Sequence, residues 1–176
     1  KIYNFTIGDY DPQLFPLSDS YKALIKEAYT NNETNYPAAN GILSLREAVS
    51  ELLQRKLHLN YSPDEILIAS GARPLIYAAY LAIVNQNEDV VFPVPSWNNN
   101  HYSFLAHANL VMLESKPENN FMPVAEELKP LLREASLLAL CSPLNPTGTV
   151  FSKQALLDIG KLVLEENIRR GPEEKP

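Results

Sequence analysis

The sequence contains a single cysteine, Cys141, among 176 residues, and this scarcity excludes two kinds of fold. One cysteine can form neither an intrachain disulfide framework nor a zinc site built from several thiolates. The three histidines, His58, His101 and His107, show no spacing with carboxylates that is typical of metal ligands. We therefore expect no metal, and we expect Cys141, which ends an apolar segment, to be buried.

The sequence also lacks a long apolar segment. No run of about 18 uninterrupted apolar residues occurs, so no membrane-spanning helix is predicted, and residues 1–10 lack the features of a signal peptide. The formal net charge of -6 argues against broad binding to nucleic acid or anionic membranes, although one local phosphate pocket stays compatible with it. These features predict a cytoplasmic protein with neither nucleic acid nor membrane among its partners.

Glycine is scarce as well, with 6 residues against 14 prolines. The absence of a Gly-x-Gly-x-x-Gly segment and of a Walker-type loop argues against a dinucleotide or nucleoside-triphosphate module. The apolar fraction of 45% and the charged fraction of 20% are typical of a soluble globular protein. A chain of this length is expected to form roughly one domain with a sizeable core.

Two helices are predicted in the N-terminal part of the chain, the first over residues 18–31. The second starts at a predicted capping box, Ser44 and Glu47, whose spacing lets each side chain bond the other's backbone amide. An apolar stripe follows at helical spacing: Leu45, Ala48, Val49, Leu52 and Leu53.

From residue 64 onward, short apolar segments alternate with amphipathic ones. Strands are predicted at 65–69, 89–92, 110–113 and 137–141, and helices at 73–84, 97–107, 124–133 and 153–166. The alternation favours an α/β fold with a mainly parallel sheet that helices cover on both faces, preceded by an N-terminal helical segment. Ligands of such sheets bind beyond the carboxyl ends of the strands, so the residues just after the strands are the candidates for a site.

Three segments follow those strand ends. Ser70-Gly71-Ala72-Arg73 opens a helix, whose free amides can hold a phosphate while Gly71 allows a close approach. Trp97, presented by a loop with two prolines, can stack on a flat ring. Asn145, held by two prolines and Gly148, can donate its amide to a ligand oxygen. Simpler interpretations exist for each: a plain strand-to-helix turn, a core tryptophan and a chain reversal.

Taken in order, the three segments resemble the fold-type I, class I/II aminotransferases, which use pyridoxal 5'-phosphate (PLP). The resemblance covers residues 4–166, and Asn145-Pro146-Thr147-Gly148 is its most specific part. Further matching segments are Ile7-Gly8-Asp9, Tyr36-Pro37, Gly41 and Leu45-Arg46-Glu47-Ala48. The resemblance implies a three-layer αβα large domain with a mainly parallel sheet, incomplete in this chain.

The resemblance also implies roles for residues that contact the cofactor. The backbone of Gly71, Ala72 and Arg73, with Ser70 beside it, would bind the phosphate. Trp97 would stack on the pyridine ring.

Other residues are implied to act near the substrate or in a partner. Asn145 would hydrogen-bond the phenolic oxygen of the ring near the substrate carboxylate, and Gly8 would line the substrate pocket. Tyr36 would reach the cofactor phosphate of a neighbouring subunit, which implies a homodimer. Asn100 departs from the family, which often has a second aromatic residue there, whereas Pro74 is tolerable in the first turn of its helix.

Two catalytic groups of the family have no counterpart in this sequence. The family uses a lysine that forms a Schiff base with PLP and a carboxylate that keeps the pyridine nitrogen protonated, both beyond the Asn145 turn. Lys153, Lys161 and Lys175 stand in no matching setting. We therefore predict no catalytic residue in this chain, expect the chain alone to be inactive, and interpret its end as a truncation or gap.

The sequence thus predicts three parts: an N-terminal arm and helix of the substrate side (1–40), the first part of the PLP-binding domain (41–168) and a charged loop (169–176). For the complete protein, the resemblance implies PLP-dependent transamination between an amino acid and a 2-keto acid. A PLP-fold lyase or synthase, and a non-catalytic domain that binds PLP or a phosphorylated metabolite, stay open as alternatives.

Overall fold

The computed structural model describes residues 8–172. Two compact units are distinguished along the backbone, Lys1–Ile68 and Ala69–Pro176. Ile7, from the predicted substrate segment, and residues 173–176, from the predicted charged loop, lie outside the described residues. The three domain limits predicted from the sequence stay a prediction.

The first unit has two α-helices in its described part, α1 (Asp19–Thr30) and α2 (Leu43–Leu57). The helix predicted at 18–31 is confirmed as α1. Ser18 caps it, because its hydroxyl accepts a hydrogen bond from the Tyr21 amide at 3.3 Å.

The capping box predicted at Ser44 and Glu47 is wrong. α2 begins after Ile42, which fills the cap position without a side-chain hydrogen bond, so Ser44 is already the second helical residue. A capping box forms instead at Ser62 and Glu65, whose carboxylate accepts hydrogen bonds from the Ser62 amide (2.8 Å) and hydroxyl (2.9 Å). These bonds, first the one from the amide, hold the pKa of Glu65 below its ordinary value.

Arg46 joins α2 to two loops of the first unit. It is only 7% exposed, and its guanidinium donates to the carbonyl oxygens of Gly41 (3.1 Å) and Pro63 (2.6 Å) and to Asp64 Oδ1 (3.1 Å). At Gly41, φ is +96° and an added Cβ would lie 2.6 Å from the Ile68 Cβ. The turn before α2 therefore requires glycine.

The strand predicted at 65–69 is wrong. Glu65 ends a 3-10 turn, Pro63–Glu65, and residues 66–69 lie outside the sheet. The Ile68 amide donates to the Asn40 carbonyl oxygen, which belongs to a loop, at 3.1 Å. A strand needs a neighbouring strand as its hydrogen-bond partner, so apolar composition alone could not decide this segment.

The second unit is built around a parallel sheet, described with three strands in the order β2-β1-β3. These strands are β1 (Asp89–Val94), β2 (Asn109–Glu114) and β3 (Ala135–Leu138). Val91 in the central strand pairs with Val111 on one side and with Leu138 on the other. The three predicted strands in this part of the chain are confirmed, with β1 and β2 longer than predicted and β3 ending earlier.

The early end of β3 changes the environment of Cys141. The Ala139 amide still donates to the Val91 carbonyl oxygen at 2.9 Å, and beyond it the chain leaves the ladder. Cys141 is exposed, with its Sγ 3.2 Å from the Pro143 carbonyl oxygen. The predicted burial of Cys141 is wrong because the apolar segment outlasts the strand.

Four helices accompany this sheet in the described residues. They are α3 (Ala72–Ile83), α4 (Asn99–Leu105), α5 (Ala125–Leu128) and α6 (Lys153–Arg170). The helices predicted at 73–84 and 153–166 are confirmed, and those at 97–107 and 124–133 are shorter than predicted. Across 8–172, no helix combines the length and the apolar character needed to cross a membrane.

The central strand β1 sends alternate side chains into two separate apolar cores. Val90 and Phe92 pack with residues at α3 and α4, among them Tyr80 and Tyr102. Val91 packs on the other face with Leu128 of α5, with Leu132 in the turn that follows α5 and with Ile159 of α6. Each fully buried side chain of this size contributes about 1.5–3 kcal/mol. The predicted α/β fold with helices on both faces of a parallel sheet is confirmed.

The C-terminal turn of α6 is fastened by Arg170. Its Nη2 lies 2.7, 3.1 and 2.8 Å from the carbonyl oxygens of Leu132, Arg133 and Ala135, which lead into β3. Its Nε lies 3.3 Å from the Glu166 carboxylate. The first two residues of the predicted loop 169–176 are therefore helical.

Tyr80 connects α3 to α4. It is 3% exposed, and its hydroxyl donates to Asn99 Oδ1 at 3.2 Å. Burial, the largest cause, raises the pKa of Tyr80 to about 12. The folded chain thus favours the neutral phenol.

Arg170→Met keeps an unbranched stem but removes the bonds to three carbonyl oxygens. We expect the full-length protein to lose about 1–3 kcal/mol of unfolding free energy, measured by chemical denaturation. Arg169→Met is the matched control, because Arg169 also pairs with Glu166 but its side chain is 53% exposed. That variant should lose less than about 1 kcal/mol, and equal losses in the two variants would contradict the role given to Arg170.

Tyr80→Phe should alter the dependence of stability on alkaline pH. Because the folded-state pKa is raised, the contribution of Tyr80 is complete below pH about 10 and is lost as pH rises to about 12. Over that interval the wild type should lose about 3 kcal/mol more unfolding free energy than the variant. Denaturant titrations at both ends of the interval measure this, and parallel profiles would disprove it.

Candidate functional site

The start of α3 is a glycine turn. Gly71 has φ +105° and ψ 170°, which residues with side chains rarely adopt, and its amide donates to the Ala69 carbonyl oxygen at 2.8 Å. The next amides, those of Ala72 and Arg73, lie in the first turn and have no intrahelical acceptor. Ser70 is exposed beside them. Two backbone donors and a hydroxyl therefore lie at the positive end of the helix dipole, an arrangement suited to an anion.

The space beside this turn is open. A Cβ built at Gly71 would meet no atom within 4 Å. Pro74, also in the first turn, has no amide hydrogen and adds no donor. An anion can thus approach the backbone closely, and it would be bound mainly by the two amides.

Trp97 lies in the loop between β1 and α4. The helix predicted to begin at Trp97 begins at Asn99, after Asn98 in the left-handed conformation (φ 64°). Asparagine is several-fold enriched among residues in this conformation. The helix therefore starts two residues later than the apolar pattern indicated, and the loop is longer by the same amount. Trp97 is 50% exposed, so it is not a core residue.

Asn99 anchors this loop. Its Oδ1 accepts from the Tyr80 hydroxyl, its Nδ2 lies 3.4 Å from Ser96 Oγ, and its carbonyl oxygen accepts from the Ser103 hydroxyl at 2.9 Å. These contacts fix the backbone on both sides of Trp97. No pattern in the sequence indicated that Asn99, among the three consecutive asparagines at 98–100, would reach α3.

The structure brings the first two predicted segments together. The guanidinium carbon of Arg73 lies 4.3 Å from the centre of the Trp97 ring, within the range of a cation–π contact. The start of α3 and the loop after β1 are therefore neighbours. The sequence pointed to the backbone of Arg73 and gave no signal for its side chain.

The segment around Asn145 follows β3. Its ends are held by Leu144, which is 2% exposed, and by hydrogen bonds from the Leu144 amide to the Thr149 carbonyl oxygen (2.8 Å) and from the Gly148 amide to the Leu144 carbonyl oxygen (2.7 Å). Asn145 itself is exposed on this turn. Because β3 and β1 are parallel neighbours, this loop and that of Trp97 leave the same edge of the sheet.

Two predicted site residues belong to the first unit. Gly8 is exposed, and an added Cβ there would meet nothing within 4 Å. Tyr36 is 99% exposed in the loop between α1 and α2. Neither is held by packing within its own unit.

Other parts of the described chain offer weaker candidates. A groove of about 850 Å³ runs along β3 and α6, and its lining is mostly aliphatic, including Leu138, Leu156 and Val163. None of the predicted site residues lines it. Among residues 8–172, no group of three or more histidine, cysteine, aspartate or glutamate side chains could hold a metal ion.

Comparison with known proteins tests the resemblance in sequence. The sequence model of the family described as aminotransferase class I and II matches residues 1–169. An aspartate aminotransferase from Bacillus sp. (strain YM-2) is 34% identical over 137 residues, which are 77% of this chain and 35% of that protein. A bifunctional aspartate aminotransferase and glutamate/aspartate-prephenate aminotransferase from Petunia hybrida is 36% identical over 138 residues, 77% of this chain and 29% of that protein.

Solved structures give the same result for the fold. A mutant aspartate aminotransferase from Thermus thermophilus matches with a TM-score of 0.81 at 27% identity, over 85% of this chain and 42% of that one. An aromatic aminotransferase from Pyrococcus horikoshii OT3 matches with a TM-score of 0.80 at 30% identity, over 85% and 40%.

The extent of these matches is uneven. The chain spans about a third of the length of the curated relatives, 35% and 29% in the two cases given. The family match nonetheless extends over nearly all of this chain and includes each of the three loops. The chain therefore belongs to the class I and II aminotransferase family.

Proposed function

We propose that the full-length protein carrying this chain is a PLP-dependent aminotransferase that moves an amino group between an amino acid and a 2-keto acid. The observation that carries the proposal is the contact of Arg73 with Trp97, which unites an anion-binding helix start and an aromatic surface. PLP has the matching parts, a phosphate joined to a flat ring. The relatives named above as aspartate aminotransferases support aspartate as a first amino acid to test.

The start of α3 fits the phosphate of PLP. A phosphate has strong acceptor oxygens, and the amides of Ala72 and Arg73 and the hydroxyl of Ser70 are donors in one place. Gly71 contributes the close approach, since its own amide is engaged by Ala69. In this proposal, Gly71 acts through its missing side chain and its two successors act through their amides.

Trp97 and Asn145 fit the ring. The exposed indole offers a face for stacking on the pyridine. The Asn145 amide, exposed on a turn that leaves the same sheet edge, would donate to the phenolic oxygen and lie near the substrate carboxylate. By the resemblance to the family, Gly8 would line the substrate pocket.

The residues of this chain bind and orient, and others move protons. When bound, PLP supplies an electron sink for the charge that develops at the substrate α-carbon. Trp97 would shield one face of the ring from water, and Asn145 would keep its hydrogen bond to the phenolic oxygen. We assign no proton-transferring residue to this chain, because no lysine within residues 8–172 falls in the three loops.

Incubation of the PLP-loaded full-length protein with ¹⁵N-labelled L-aspartate and 2-oxoglutarate tests the function. We expect labelled glutamate to form, and we expect borohydride to abolish both the visible absorbance of bound PLP and the exchange. Release of free ammonia without exchange would assign a lyase. PLP binding without turnover of a panel of amino acids would assign a non-catalytic binding protein.

Asn145→Ala in the same assay tests the site. Loss of a hydrogen bond to a charged group should lower kcat/KM about 10- to 100-fold and shift the absorbance of bound PLP. Asn60→Ala, at an exposed asparagine outside the three loops, is the control and should behave as wild type. An unchanged rate and spectrum in Asn145→Ala would remove Asn145 from the site.

We also propose that the full-length protein is a homodimer in which Tyr36 reaches the cofactor phosphate of the partner subunit. Support comes from the resemblance to the family and from the exposure of Tyr36. This large aromatic side chain is 99% exposed and is not held by packing within its own unit. Sedimentation should give a dimer. Hybrids of Tyr36→Ala and Asn145→Ala subunits should exceed the activity of both parents, because one of the two sites regains both side chains. A monomer, or hybrids no better than the parents, would refute this arrangement.

A further inference from the structure

The contact between Arg73 and Trp97 joins two elements that are distant in sequence. The guanidinium lies 4.3 Å from the ring centre, so it lies over a face of the indole. Arg73 stands in the first turn of α3, whereas Trp97 stands in the loop after β1. The side chain of Arg73, whose amide is proposed to bind the phosphate, thus contacts Trp97, which is proposed to stack on the cofactor ring.

The exposure of Trp97 indicates that the contact leaves room for a ligand. An indole has two faces, and Arg73 covers one of them. The residue is nevertheless 50% exposed, so a large part of the ring surface is still accessible to a flat molecule. The accessible surface leaves room for a planar ligand, and the proposal below places that ligand on the face opposite Arg73.

The loop that carries Trp97 has a fixed backbone, but that backbone does not fix the side chain of Trp97. Asn99 is held by Tyr80 and lies beside Ser96, which secures the residues on both sides of the tryptophan. An exposed indole on such a loop retains rotamer freedom, and ordering it on binding weakens affinity. A planar guanidinium stacked on the ring reduces that freedom before the ligand arrives.

We propose that the Arg73 side chain is a positioning residue, which holds the Trp97 indole with its free face toward the cofactor ring. This inference rests on the proposed function and extends it. Arg73 would then serve the site twice, through its amide at the phosphate and through its guanidinium at the indole. The turn at residues 70–73 and the loop that carries Trp97 would then form one preorganised binding surface.

The contact itself is tested in the apoprotein, without any cofactor. The full-length protein is labelled with 5-fluorotryptophan, and the ¹⁹F resonance of Trp97 is assigned by its loss in Trp97→Phe. We expect Arg73→Gln to shift and narrow that resonance, because the ring gains freedom, and Arg73→Lys to give a partial effect. Arg55→Gln, at an exposed arginine of α2, should leave it unchanged. An unaltered Trp97 resonance in Arg73→Gln would overturn the proposal, whether or not the protein binds PLP.

The consequence for the cofactor is tested by titrating the same variants with PLP. Arg73→Gln should raise the Kd about 3- to 30-fold, and Arg73→Lys should recover only part of the affinity because an ammonium lacks the flat surface of a guanidinium. In a Trp97→Leu background, Arg73→Gln should change the Kd less than 2-fold, roughly the limit of additive behaviour.

Three results of this titration would overturn the proposal. A lower Kd in Arg73→Gln would mean that the guanidinium occupies the face that the cofactor needs. Full recovery by Arg73→Lys, or an undiminished loss in the Trp97→Leu background, would mean that Arg73 acts by charge on the phosphate. If the wild type did not bind PLP, the proposed function would be disproved instead. The ¹⁹F experiment on the apoprotein would still test whether Arg73 restrains the Trp97 side chain.

Discussion

The candidate site depends on the parallel pairing of β1 with a neighbour on each side. All three described strands run in the same direction, so the loops after β1 and β3 leave one edge of the sheet. An antiparallel neighbour would send its loop to the other edge. The direction of the strands, and not any feature of the loops, therefore decides that Trp97 and Asn145 lie on the same side of the second unit.

Helix α3, whose start we propose to bind an anion, is joined to this side of the sheet by two links at different depths. The deeper link is the buried Tyr80, whose hydroxyl holds Asn99 at the start of α4. The outer link is the guanidinium of Arg73 on the indole of Trp97. The first fixes the backbone of the loop and the second restrains the side chain it carries. One link is a hydrogen bond and the other is a cation–π contact, and together they hold α3 beside the loop that follows β1.

The sequence predicted those features that local composition determines. Strands β1 and β2 and helices α1, α3 and α6 are readable because each carries its own apolar period or cap, such as Ser18 at α1. The strand predicted at 65–69 failed because a strand exists only with a neighbour, and Ile68 bonds to a loop. The predicted burial of Cys141 was wrong for a related reason, since the end of β3 depends on where its pairing with β1 stops.

The residues of the site divide in the same manner. Gly71, Trp97 and Asn145 were found because glycine, tryptophan and an Asn-Pro turn at strand ends are unusual in sequence. The contacts that hold them were not found, because Tyr80 and Asn99 are 19 residues apart and no pattern relates them. Arg73 was assigned through its backbone alone for the same reason. Sequence patterns thus identified the groups that we propose to meet a ligand and missed the groups that support them.

The chemistry of the α3 start explains why such support matters here. A helix start offers up to four amides without intrahelical acceptors, but the Gly71 amide already bonds Ala69 and Pro74 has none. Two amides remain for a phosphate, with the Ser70 hydroxyl beside them, so in the proposed site the helix start would bind an anion less firmly than four free amides would. The ring of a phosphorylated ring compound would then supply a larger share of its affinity for the proposed site. A ring that stacks on a single exposed indole gains most affinity when that indole is already oriented, so the proposed site would depend on Arg73, which orients Trp97, as well as on Trp97 itself.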